Sequence, residues 1–332
     1  MVNRDKNQPR YKVPKGKYSI AASDDKLQRR AERFAKKPTT TYGFISRGED
    51  ARLQTSEQAR YDFFNEIVGT FVEYCQDHTS LKFSGQVEAL IGDHGDKKQT
   101  ADRQTATIDR QTATTTIDKQ TATTAIDRQT ATIDRQTAAT TIDTILANLR
   151  KLREALLSVP CTDFTVKVYL FSIRIGASIG HYQTYIPSIT YLIRQEISND
   201  DRNEIAALLI LHTSHFNNDN SLALAQWHRY LAHDTQMKRL VSAWIAKDYY
   251  TWVKMYNHET DNGRSTIMKF GLRTMVGHMV VCITKSYFNL SYRDLEVMLP
   301  KGISFQSLLE DFGARWQRQP DSDNVVIKSR AR

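Results

Sequence analysis

Cysteine is scarce in this sequence: Cys75, Cys161 and Cys282 are three in 332 residues, an odd number with no CxxC spacing. That does not make a disulfide framework; it suits a reducing compartment, with the thiols acting as small apolar side chains. Proline and glycine are also few, at 7 and 14, and 25% of residues are charged, which predicts a largely globular chain of one large or two ordinary domains. No apolar run reaches the roughly 20 residues that cross a bilayer. The first residues lack a signal-peptide core, and Asp5, Asp24 and Asp25 argue against a mitochondrial one. The expectation is a nuclear and/or cytoplasmic protein with no membrane partner.

The motifs of common chemistry are missing too. No G-x-x-x-x-G-K-[ST], G-x-G-x-x-G or G-x-S-x-G occurs. The paired carboxylates, Asp200 with Asp201 and Glu310 with Asp311, fall at predicted helix ends or turns, where they are solvated charges. His212 and His215 share a predicted helix, with Asp219 beyond, but the glutamate of H-E-x-x-H is absent. His228 and His233 lie five apart and need not share a face. The sequence therefore predicts no enzyme: no catalytic residue, no cofactor, no metal and no small-molecule substrate.

What is present is unevenly placed. Net charge is +9, yet residues 1–40 hold twelve Lys/Arg against four acids, a surplus of eight that leaves the remainder nearly neutral. Residues 1–55 are read as a basic, mostly disordered arm. Within it Ser23, Asp24 and Asp25 can cap a short amphipathic helix, and Arg29, Arg30, Arg33, Lys36 and Lys37 are candidate phosphate contacts. Nuclear import and a weak membrane contact are the other readings of this arm.

Residues 100–143 repeat D-[RK]-Q-T-A-T with variable spacers, and their aspartates stand seven or nine residues apart. A nine-residue step turns a helix by half a circle, and in a strand it also changes face, so neither geometry builds one apolar stripe. The segment reads as a low-complexity insertion, disordered or partly helical, with a coiled coil as the alternative.

The remaining periodicity is helical. Residues 56–99 carry a first helix, with Thr55 and Gln58 as a capping box and Phe64, Ile67, Val68, Phe71, Val72 and Cys75 on one face. Residues 144–270 read as an array of helices on short loops. Ile145, Leu149, Leu152 and Leu156 line the first, in "LRKLREALL", with a basic outer face. "DFTVKVYLFSIRIGASIG" is apolar almost all round, and Gly176, Ala177 and Gly180 allow close approach. "YIPSITYLIRQEI" places Pro187 near a helix start. The aromatics between 227 and 256 are read as core between helices, with a partner-binding patch as the sharper alternative.

Residues 271–330 pattern as helix, helix, helix and β-hairpin. Val276, Met279, Val280 and Ile283 line the first helix; Ser291 and Ser304 can cap the next two; "ARWQRQ", "PDSDN" and "VVIKS" make the hairpin. Tyr287, Leu290, Leu295, Leu299 and Trp316 are the predicted core of this module. The strand of Val325, Val326 and Ile327 is the predicted open edge for a partner.

Helical array followed by this module resembles the PCI architecture, in the small-subunit branch known from the signalosome, the proteasome lid and translation initiation factor three. "LRKLREALL", "VYLFSIRIGASI", "ITKSYFNLSYRDLEVML" and "WQRQPDSDNVVIK" carry the resemblance. It implies a mainly α fold, a helical-hairpin array ending in a winged helix with a small β-hairpin. It also implies a non-catalytic scaffold or adaptor whose partners are other PCI-type subunits.

The alternative is a nucleic-acid-associated PCI protein of the messenger-RNA-export or transcription-linked kind, gripping phosphate nonspecifically through the arm and through Arg315, Arg318 and Lys328. Base reading is not expected. The third helix, "ISFQSLLEDFG", has no cation and carries Glu310 and Asp311, which phosphate would repel.

Overall fold

The computed structural model describes residues 42–43, 51–77, 139–319 and 322–328, and what it describes is mainly helical. The five arm cations, the helix expected after Ser23 and most of the repeat lie outside the described residues. Two expected boundaries move. Leu53, assigned to the arm, is fully buried in α1 (Arg52–Thr55). Arg60 Nη1 ties this turn down by donating to Leu53 O and Gln54 O at 3.0 and 3.1 Å. Residues 139–143, assigned to the repeat, already belong to helix α3 (139–156).

α2 (Glu57–Asp77) follows α1 after a one-residue break. Its cap is Ser56, whose Oγ accepts from Ala59 N at 3.2 Å, and not Thr55, whose hydroxyl bonds back to Ala51 O. The apolar face of α2 meets α4 (Asp163–Ser178): Phe64 and Phe71 stand edge-on to Phe171 at 5.5 and 5.4 Å. Residues before and after the repeat thus share one core.

In α4 every residue from Val168 to Ser178 is buried, as its all-round apolar composition requires. α5 (Tyr182–Leu192) returns along it, and Gly176 makes the approach possible: a Cβ there would sit 3.2 Å from Thr184 Cγ2 and Tyr185 N. Pro187 is not at the start of α5 but inside it. The helix begins five residues earlier, at the turn through Gly180 (φ +74°) and His181.

α6 (Asn199–Leu211) starts at the Ser198 cap and packs with α7 (Asn220–Tyr230), while α8 (Thr235–Ala246) packs with α9 (Tyr249–His258). Arg174 on α4 is buried, and its Nε and Nη2 clasp the Glu204 carboxylate on α6 at 2.8 and 2.7 Å, with Asp201 at 3.3 Å. Glu204→Ala leaves this buried guanidinium with Asp201 as its remaining ion-pair partner among the described residues and Asp261 farther off. Urea unfolding of the variant is expected to show a loss of about 2 kcal/mol; an unchanged midpoint would mean the pair is screened by solvent.

One helix organises the rest. α10 (Asn262–Ser286) is long and apolar enough to cross a membrane, which modifies the expectation from apolar runs, but 44% of that stretch is buried inside this protein. Its first half, with Ile267, Met268, Gly271 and Met275 buried, packs against α4, α6 and α9. Its second half, with Val276, Met279, Val280 and Ile283, forms the core of the C-terminal module. The expected boundary at 270/271 therefore falls inside a single continuous helix.

The module continues with β1 (Asn289–Ser291), α11 (Tyr292–Val297), α12 (Phe305–Glu310), β2 (Gln317–Arg318) and β3 (Asn324–Val326). The sheet order is β1-β3-β2, both pairs antiparallel, with Leu290 opposite Val325 and Gln317 opposite Val326. Ser291 and Ser304 cap α11 and α12, accepting from Asp294 N and Ser307 N.

Candidate interaction site

Leu295, Leu299 and Trp316 are buried in the module core, and Leu290 is half-buried against it. Trp316 also donates from Nε1 to Thr284 Oγ1 of α10 at 3.0 Å. Tyr287 is not core: it is 39% exposed. It follows the last residue of α10 with extended backbone (φ −116°, ψ 148°), so the helical step that faced Ile283 inward no longer applies to it.

The predicted open edge is also corrected. β3 is the central strand, hydrogen-bonded on both sides, and Val325 and Ile327 point into the core at 0% and 4% exposure. The outer strands are β1 and β2. Phe288 O accepts from Ile327 N, and Tyr292 N donates to Asp323 O, so residues 288, 290 and 292 face β3. The alternation of an antiparallel pair turns the backbone N–H and C=O of Asn289 and Ser291 outward. Beside that edge Tyr287 and Phe288 are exposed.

The basic positions are partly spoken for. Arg318 lies over the Tyr292 ring, Cζ 3.6 Å from its centroid. Lys328 lies over the Phe288 ring at 4.6 Å and donates to Lys285 O at 2.7 Å. Arg315 is exposed, as are Glu310 and Asp311 at the end of α12.

Polar groups missed in the sequence fix the module's attitude. Asn257 of α9 donates to Leu299 O at 2.9 Å and accepts from Lys301 N at 2.7 Å, while Lys301 Nζ reaches Glu259 O at 3.1 Å. Asp323 accepts from Ser291 Oγ and Arg293 N, joining the hairpin to the start of α11. An asparagine at a helix end and an aspartate in a "PDSDN" turn look like ordinary caps, so spacing gave no sign of either contact.

The histidines form a buried node. After α6 the backbone widens into a π-turn (His212–Phe216), and both rings are buried. His212 Nδ1 pairs with Tyr185 OH at 2.8 Å, whereas His215 Nε2 accepts from Trp252 Nε1 at 2.8 Å. The two rings thus serve different partners. No cluster of metal-ligating side chains occurs among the described residues. Trp244, Trp252 and Tyr256 complete the core here, while Tyr250 is exposed. Of the cysteines, Cys161 is exposed, and burial pushes the half-buried Cys75 thiol up to about 11.

Comparison with known families and curated proteins yields no matching family model and no matching protein.

Proposed function

We propose that this chain is a non-catalytic scaffold or adaptor subunit of a PCI-type assembly, working in the nucleus and/or cytoplasm. In this reading the C-terminal module is a winged helix, and it docks onto an equivalent module of another subunit. The observation that carries the reading is α10, one helix whose two halves enter the helical core and the module core. Such a join, locked by Asn257, holds a docking edge at a fixed angle to the array, which is what an assembling subunit needs. The docking edge is the outer side of β1 with Tyr287 and Phe288, since β3 has no free side.

Affinity purification of the tagged full chain from native extract is expected to recover a multi-subunit assembly. Phe288→Glu is expected to release those subunits without lowering the melting temperature. Recovery of a lone monomer in repeated preparations would count decisively against the proposal.

The nucleic-acid reading draws on the surplus of eight positive charges in residues 1–40. It predicts filter binding of RNA or DNA that weakens steeply with salt and is lost without those residues. The wing supports it less, because Arg318 and Lys328 already rest on aromatic rings.

A further inference from the structure

α3 was expected to carry a basic outer face, but its Arg153 turns inward and is only 8% exposed. It sits one turn after Leu149, on the apolar side of the helix. Its Nη1 donates to Thr184 O at 2.9 Å and to Ser188 Oγ, and its Nε to Leu149 O at 3.4 Å. Ser188 Oγ in turn donates to Thr184 O, so the guanidinium is held by α5 in one orientation. Among the described residues no group accepts from Nη2, and no carboxylate forms an ion pair with Arg153. Beside it the Tyr169 phenol, uncharged at neutral pH, favours the charged form of Arg153, while the Arg150 guanidinium opposes it. Burial lowers its pKa to about 10, which still leaves it a cation at neutral pH.

A buried cation with no counter-charge among the described residues is costly, and an anion entering beside it would offset that cost. Arg153 lines a cavity of about 820 Å³ between α3 and α5, a volume in the range of small-ligand sites. The walls are apolar and aromatic: Leu146, Leu157, Pro187 and the stacked pair Tyr169 and Tyr191, whose centroids are 4.3 Å apart. The exposed Arg150 and Gln183 also line it, as do Asp143 and Glu154. Those two carboxylates disfavour a multiply charged anion. The buried Arg153, the apolar walls, and a second guanidinium (Arg150) offset by Asp143 and Glu154 together favour a single negative charge on an apolar body.

We propose that the α3–α5 cavity binds a monocarboxylate with an apolar or aromatic body, its carboxylate meeting Nη2 of Arg153. This goes beyond the scaffold reading and does not depend on it. The carboxylate has two sources, a free small acid or the C-terminal carboxylate of a polypeptide, and the probes separate them.

The test is calorimetric titration of the full chain with 4-phenylbutyrate, with its neutral amide, and with a short peptide ending in phenylalanine. The expected result is a Kd of about 1 mM or tighter for an acid, with the amide at least about tenfold weaker because it lacks the charge. Stronger binding of the peptide than of the free acid assigns the polypeptide source; the reverse assigns the small molecule. Arg153→Met is expected to abolish the preference of acid over amide while the melting temperature holds or rises, since an uncompensated charge has been removed. Equal binding of acid and amide by the unaltered chain, or no binding of either acid, overturns the proposal whatever the variant does. A melting temperature that falls in Arg153→Met while acid selectivity persists would assign Arg153 to structure alone.

Discussion

Gly271→Ala is expected to lower stability by about 3 kcal/mol or more, whereas Gly277→Ala, six residues along the same helix, is expected to raise it by up to about 1 kcal/mol. Both glycines sit inside α10, so both lose the same helix propensity relative to alanine. Their surroundings differ. A Cβ on Gly271 would lie 2.5 and 2.6 Å from the outer ring carbons of Trp244 and 2.8 Å from His215 Cδ2. Trp244 is 1% exposed and wedged between His215, 4.2 Å between centroids, and the face covered by Lys247. A rigid, enclosed indole has nowhere to go, so α10 itself must shift. At Gly277 nothing lies within 4 Å of the added methyl. Thermal unfolding separates the two: a fall on the order of 10 °C is expected for Gly271→Ala and a small rise for Gly277→Ala. Equal shifts would mean that α10 is not pinned by the Trp244 node.

That node shows where the sequence was legible and where it was not. The helical elements could be read because burial follows a 3.6-residue period, and Ser291 and Ser304 because a cap acts three residues away. Such signals are local. The need for glycine at 271 is set by an indole 27 positions earlier and has no sequence signature. The π-turn at His212 is likewise silent, because a shifted hydrogen bond changes neither composition nor apolar spacing by more than one residue. β1 has three residues, too few to show alternation, so β3 was read as an edge when it is the centre. The inward turn of Arg153 follows from its four-residue step from Leu149, but its charged neighbours Arg150 and Lys151 obscure that step in the sequence. Tyr287 was assigned inward by extrapolating a helix past its end. The docking edge was placed on the wrong strand: Val325, Val326 and Ile327 were named, whereas an outer strand is β1, with Tyr287 and Phe288 beside it, because exposure depends on which strand lies beside which.

The second large effect is a dependence of stability on pH centred on His215. Its Nε2 accepts a hydrogen bond from Trp252 Nε1, so the ring proton must sit on Nδ1, facing Leu211 O and Ser214 Oγ. Protonating Nε2 would set two donors against each other inside the core and would charge a ring that water does not reach. Burial, aided by Lys247, accordingly lowers the pKa of His215 from 6.5 to about 3. Between those values the unfolded chain takes up a proton that the folded chain refuses. The stability held by the neutral ring is therefore complete above about pH 6.5 and declines as pH falls toward 3, by up to about 5 kcal/mol in all. Only part of that range is clear of general carboxylate titration. Between pH 7 and pH 5 the loss from this one group is expected to be about 2 kcal/mol. His212 is also lowered by burial and acts in the same direction, so the unaltered chain alone does not isolate the effect. His215→Gln does, because an amide oxygen can still accept from Trp252 Nε1 yet does not titrate. Denaturant unfolding at pH 7 and pH 5 is expected to show a loss about 2 kcal/mol smaller in His215→Gln than in the unaltered chain. Parallel pH slopes in the two proteins would place the proton elsewhere and remove His215 as the source of acid sensitivity.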